Sequence, residues 1–188
     1  MNAGQPQLRG GRPLRMLALA FAFTSATAFA SSAPAAAAQT TVDFKNFSYD
    51  VTPCNPGRVE MHSGEGEQDV NGTALSLYLE QVLYGELAPG RRFAVVRLSC
   101  SPPVGSESAA YLYAIDAGKA TYVTTLVDLF VGEGHMSSGW IHLRFQNDLL
   151  YVDHCLSDED CENGVVTTYA LRHGKVVAVY TLHHKYKM

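Results

Sequence analysis

The stretch Val82-Leu-Tyr-Gly-Glu-Leu-Ala-Pro-Gly-Arg-Arg-Phe-Ala-Val-Val-Arg-Leu-Ser-Cys100 decides how this chain folds. Two β-rich runs meet in it across an Ala-Pro-Gly break, and the second ends on a cysteine. Phe93, Val95, Arg97 and Ser99 alternate with Ala94, Val96, Leu98 and Cys100. A short, bounded, β-branched run of this kind reads as a strand covered on at least one face, and it predicts the central strand of a sheet. It specifies no chemistry.

Outward from it, the same alternation recurs. Before the break, Leu75, Leu77 and Leu79 alternate with Ser76, Tyr78 and Glu80. Leu75, Leu79, Val82 and Leu83 also fit a helical spacing, but the alternation favours a strand from Ala74 to Leu87. After Cys100, Tyr111, Tyr113 and Ile115 share one face of a strand ending at Asp116-Ala-Gly118, a three-residue hairpin signal. Ala120 to Val127 returns, and Phe130 to Gly139 reads as a glycine-rich loop. Ile141, Leu143 and Phe145 then alternate with Trp140, His142 and Arg144, as in a half-buried strand. Gln146-Asn-Asp148 turns it and Leu149 to His154 goes back. Val165 to Leu171 and Lys175 to Leu182 form a last hairpin across His173-Gly174.

Upstream, Phe44, Phe47 and Tyr49 are the first residues able to anchor to a core, and Asp50 to Gly57 is turn-rich. Arg58 to His62 suits a short strand. The polar, acidic Ser63 to Gly72 reads as a mobile surface loop. About nine or ten closely spaced strands with short connections predict an all-β fold, mainly antiparallel, a meander folded into a sandwich or open barrel.

The amino terminus carries a different signal. Arg9, Arg12 and Arg15 precede an apolar run from Met16 to Phe29, and Ala28-Phe29-Ala30 places small residues where a signal peptidase reads. The expectation is a signal peptide over 1–30, a flexible tail over 31–41 and a single β-rich domain over 42–188, with Ala38 a second possible cleavage site. A spanning anchor wants ~20 apolar residues, and this run is shorter. The leader has no Arg-Arg pair for twin-arginine export and no nearby cysteine for a lipid. Removing its three arginines, with no acid, takes the net charge from −4 to −7. An acidic chain lacks the basic footprint of a nucleic-acid binder and is not drawn to anionic lipid.

The four cysteines Cys54, Cys100, Cys155 and Cys161 all follow the leader, as disulfides of an exported protein would. Four cysteines permit three pairings. A Cys155–Cys161 bridge would close an acidic hairpin-like loop and leave Cys54 to pair with Cys100. Zinc wants compact pairs such as Cys-x-x-Cys, and none occurs.

Val42-Asp-Phe-Lys-Asn-Phe-Ser-Tyr49, then Leu83-Tyr-Gly-Glu-Leu87, then Phe93-Ala-Val-Val96, resembles a group of small exported bacterial proteins of unknown function. These open with Asp-Phe-x-Asn-Phe-x-Tyr and continue with a Tyr-Gly-Asp-Leu-type phrase and an Ala-Val-Val strand. The chain is also distantly similar to the LppP/LprE type of actinobacterial lipoprotein, without the lipid-bearing cysteine. The resemblance implies an exported address and a fold class, and no activity. The Asp-rich phrase of that group is similar to calcium-binding turns. Here the matching Gly85 to Arg92 keeps one carboxylate, Glu86, and has Arg91 and Arg92 where acids would be wanted.

The remaining constellations point to no catalyst. Asp158-Glu-Asp-Cys-Glu-Asn163 has closely spaced oxygen ligands but misses the EF-hand offsets, since Tyr169 falls where the last acid belongs. His135, His142, His154, His173, His183 and His184 are scattered, with no His-Glu-x-x-His. Ser137-Ser-Gly139 lacks the nucleophile-elbow spacing, and Val131-Gly-Glu-Gly134 lacks the lysine of a phosphate loop. No catalytic residue, cofactor or metal is therefore assigned. Two classes follow: a non-catalytic binding module for a protein or glycan of the cell envelope, or a secreted enzyme or enzyme inhibitor whose site is built from distant loops. A deep pocket lined by two or more of Glu133, His135, His142 and Asp153 would favour the enzyme; a shallow surface with an exposed aromatic patch would favour binding.

Overall fold

Antiparallel pairing accounts for nearly the whole body of the protein, in a computed structural model that describes residues 41–54, 57–102, 105–131, 140–155 and 163–185. Five strands form one meander in sequence order: β3 (Glu65–Val70), β4 (Thr73–Ala88), β5 (Arg91–Ser101), β6 (Ser106–Asp116) and β7 (Lys119–Val131). Four more form a second: β8 (Ile141–Gln146), β9 (Leu149–Cys155), β10 (Asn163–Arg172) and β11 (Lys175–Lys185). A two-stranded pair, β1 (Ser48–Tyr49) with β2 (Val59–Glu60), completes three sheets. They pack together without closing into a barrel, consistent with a β sandwich. Among the described residues no helix is long and apolar enough to cross a membrane. The expected signal peptide lies outside the described residues, as do Cys161 and most of the glycine-rich and acidic loops.

β5 is the central strand, and both of its faces are buried. Ala94, Val96, Leu98 and Cys100 face a core shared with Leu75, Leu77, Ala109, Tyr111 and Tyr113, covered by Phe44, Tyr49, Val59 and Met61. Phe93 and Val95 face the other core, with Leu87, Ala110 and Leu112 of their own sheet and Ile141, Leu150 and Val152 of the four-stranded sheet. Period-two alternation explains this division, because successive side chains of a strand point to opposite faces.

The cover over the first face is built from 42–61. Asp43 caps a 3-10 turn, Phe44–Asn46, by accepting from the Lys45 amide at 3.1 Å. This turn delivers Phe44 to within 5.4 Å of the Tyr113 ring, centroid to centroid, and Phe47 lies 5.8 Å from the same ring. Tyr49 is fully buried, yet its hydroxyl donates to the Phe44 carbonyl at 2.8 Å. Burying a phenol without such a partner would cost about 1–3 kcal/mol. A disulfide between Cys54 and Cys100 fastens the cover to β5, with the Cα atoms 6.1 Å apart. Cys155 is also disulfide-bonded.

Strand β4 runs for 16 residues by changing which parity faces which core. Leu75 and Leu77 face the cover, but beyond Glu80 it is Val82 that packs there, while Leu87 faces the second sheet. The cause is a bulge: Leu79 pairs with Leu98 and Gln81 with Arg97, leaving Glu80 as the extra residue. One added residue reverses every following side chain and increases the local twist.

Four expectations need correction. Ser63 to Gly72 is not a mobile loop, since Glu65–Val70 pairs with Thr73–Tyr78 through a turn at Asn71-Gly72, both at positive φ. Its acidic composition reflects an edge strand: Glu65, Glu67 and Asp69 point to solvent, while Gly66 is buried where a Cβ would press on Met61 and Val59. The β6–β7 connection is a two-residue turn, because Asp116 pairs with Lys119 around Ala117 and Gly118. Strand β7 also extends to Val131, past the start predicted for the following loop. With β3, the described strands number eleven and not nine or ten.

The two larger sheets approach closely at Gly85, where an added Cβ would fall inside the Phe145 side chain of β8. Glycine is required there for space. Gly85→Ala should therefore cost about 1–3 kcal/mol through forced repacking, read as a lower urea midpoint. Adding Phe145→Leu should recover part of that loss. A Gly85→Ala protein as stable as the parent would show that the sheets can separate there without penalty.

Candidate functional site

A groove of about 600 Å³ lies between the two larger sheets. The five-stranded sheet contributes Gln81 and Arg97, brought side by side by the β4 bulge. From the four-stranded sheet come the rungs His142 with Asp153 and Arg144 with Tyr151, which are cross-strand partners on β8 and β9. Ile141, Leu143 and Val166 supply apolar wall. Gln81, His142 and Arg144 are themselves exposed, so this is an open groove and not a sealed chamber.

Most polar groups at its rim already have local partners. The Arg144 guanidinium lies 4.7 Å above the Tyr151 ring, a cation–π geometry. The His142 ring rests on Trp140 with centroids 4.5 Å apart. Asp153 Oδ1 lies 3.1 Å from His184 Nε2, and both side chains are about three-quarters buried. Arg97 differs. It follows Phe93 and Val95 on the inward face of β5, and its Nε is buried without a hydrogen-bond partner. The described residues offer its guanidinium no ion pair either.

The sequence candidates are thus only partly brought together. His142 and Asp153 meet at the groove, while Glu133 and His135 lie outside the described residues. His154 is half-buried, with Nδ1 3.1 Å from the Cys155 carbonyl. His173 sits in the β10–β11 turn and His183 is exposed on the outermost strand. Among the described residues no three His, Cys, Asp or Glu side chains are placed to hold a metal ion. Arg97, Gln81, Arg144 and Tyr151 were not singled out by motif. The available signal was Arg97 itself, the one charged residue between Phe93 and Cys100. His184 comes to Asp153 because β11 pairs outside β10, a relation no local pattern announces.

Searches of protein-family models, curated proteins and solved structures give no match to this chain.

Proposed function

We propose that the chain is exported to the bacterial envelope and acts there as a non-catalytic binding module, taking its ligand in the groove between the two larger sheets. The observation that carries this reading is a groove walled from both sheets with the buried, unpartnered Nε of Arg97 on its inner side. Its volume falls within the ~300–1,000 Å³ range of small-ligand sites. Apolar wall, an amide, a phenol and two arginines are the mixture that holds and orients a polar ligand. The leader-like amino terminus and the Cys54–Cys100 bridge support the oxidising address. The partner is a protein or glycan of the envelope, bound without nucleic acid.

The test is a thermal-shift screen of the mature protein against envelope glycan fragments, sugars and short peptides, repeated with Tyr151→Ala. A ligand that raises the melting temperature of the parent, and does so less in the variant, is the expected result. A screen in which nothing shifts the parent, with native material still beginning at Met1, would remove the proposal.

A second reading has one observation in its favour: His142 and Asp153 stand side by side at the groove. Against it, Asp153 is engaged by His184, and the described lining holds no serine, threonine or cysteine. Turnover of a bound ligand that vanishes in His142→Gln while binding persists would establish an enzyme.

A further inference from the structure

Arg97 poses a physical problem that the folded chain leaves open. Its guanidinium is always charged at neutral pH and carries five donors in a planar fork. Here it is drawn between two sheets, partly out of water, with its Nε buried and unpartnered. A charge desolvated without a counter-ion is destabilising, and the usual remedies are a carboxylate or a ring face. Both remedies are present nearby and neither is used on Arg97. Tyr151 lies under Arg144, and Asp153 is paired with His184. Gln81 stands directly across from Arg97 in the strand register and lines the same groove, where its amide can donate or accept.

We propose that Arg97, with Gln81 beside it and Arg144 across the groove, receives the carboxylate of a small acidic sugar. This rests on the binding-module reading and names its ligand class. Three features favour a carboxylate. The fork of an arginine matches two carboxylate oxygens in one plane. Among the arginines and carboxylates of the lining, Arg97 and Arg144 stand against Asp153, an excess of one positive charge that suits a monoanion better than a phosphate dianion. The groove opens to solvent and presents apolar wall and a phenol beside the cations, as a sugar ring requires.

The experiment is calorimetric titration of the mature protein with galacturonate and glucuronate, with galactose and glucose as neutral counterparts. Inorganic phosphate serves as another anion, and diglycine, a zwitterion at neutral pH, presents the carboxylate of a peptide terminus. The parent should bind a uronate and not its neutral counterpart. Arg97→Met should weaken that binding roughly 10- to 100-fold, the loss of charge-assisted hydrogen bonds. Arg97→Lys should fall between, since it keeps charge and loses the fork. Folding of the Met variant is secured by its own readout: removing a charge without a partner should leave the ligand-free melting temperature equal or higher.

Equal binding of the neutral sugar, or uronate binding untouched in Arg97→Met, overturns the carboxylate assignment while leaving a binding module. Diglycine binding in preference to a uronate overturns the sugar and moves the source to a peptide terminus. Phosphate in preference to a uronate overturns the charge argument. If the parent binds none of these but does bind a neutral ligand from the broader screen, the inference fails alone; if it binds nothing in either, the functional reading fails with it.

Discussion

Above about pH 10 the protein is expected to lose its fold steeply, through the phenols of its first core. Tyr49, Tyr111 and Tyr113 are each no more than 3% exposed. Burial raises all three well above the ordinary tyrosine value, because the phenolate cannot be solvated there. Neighbouring phenols and carboxylates push in the same direction, among them Asp128 and Glu107 for Tyr111. The folded state therefore keeps three protons that the unfolded chain gives up near pH 10. The unfolded state then binds fewer protons, so stability is complete below that pH and falls as pH rises past it. Three such groups give a slope of roughly 4 kcal/mol per pH unit, and a domain stable by ~5–15 kcal/mol has little reserve against it. Tyrosinate absorbance near 295 nm should rise in two stages: exposed phenols first, then a cooperative stage coincident with loss of β-sheet circular dichroism. Ionisation of all ten tyrosines in one non-cooperative step, with the sheet signal intact, would show that these rings are reachable by solvent in the native state.

Removal of the Cys54–Cys100 bridge should cost about as much as one pH unit in that range. The two cysteines are 46 residues apart, and loop-closure entropy for that span comes to about 4 kcal/mol. For a domain of this size the melting temperature should drop by roughly 8–16 °C in Cys54→Ala/Cys100→Ala. The location of the loss follows from the fold. The cover of 42–61 has two two-residue strands and an aromatic cluster, while the sheets below have long ladders. Its amides should therefore lose hydrogen-exchange protection before those of β5 and β6. Cys54 also sits at positive φ, +58°, a conformation that glycine adopts more readily than alanine. Cys54→Gly/Cys100→Ala should accordingly keep more stability than the double-alanine variant. Equal melting of oxidised and reduced parent protein would mean that the cover is held by packing alone.

Much of the strand order could be read from the chain because its cause is local. A pleat sends alternate side chains to opposite faces, so the Phe93 to Cys100 run, the Ile141 to Phe145 run and the turns at Pro89-Gly90 and His173-Gly174 each declare themselves within a few residues. Strand β3 escaped because an edge strand with one wet face has the composition of a loop, and only its ladder to β4 makes it a strand. The Glu80 bulge was equally hidden, although it fixes which β4 side chains reach the groove.

Local patterning along the chain sets an antiparallel β body with β5 at its centre and an aromatic anchor of Phe44, Phe47 and Tyr49. Long-range packing buries β5 on both faces, selects Cys100 for Cys54 among the three pairings, and gathers Gln81, Arg97, His142, Asp153 and His184 at one place. Alternation depends on neighbours two residues away, whereas a groove depends on where a bulge falls, how two sheets pack, and which strands lie at their edges.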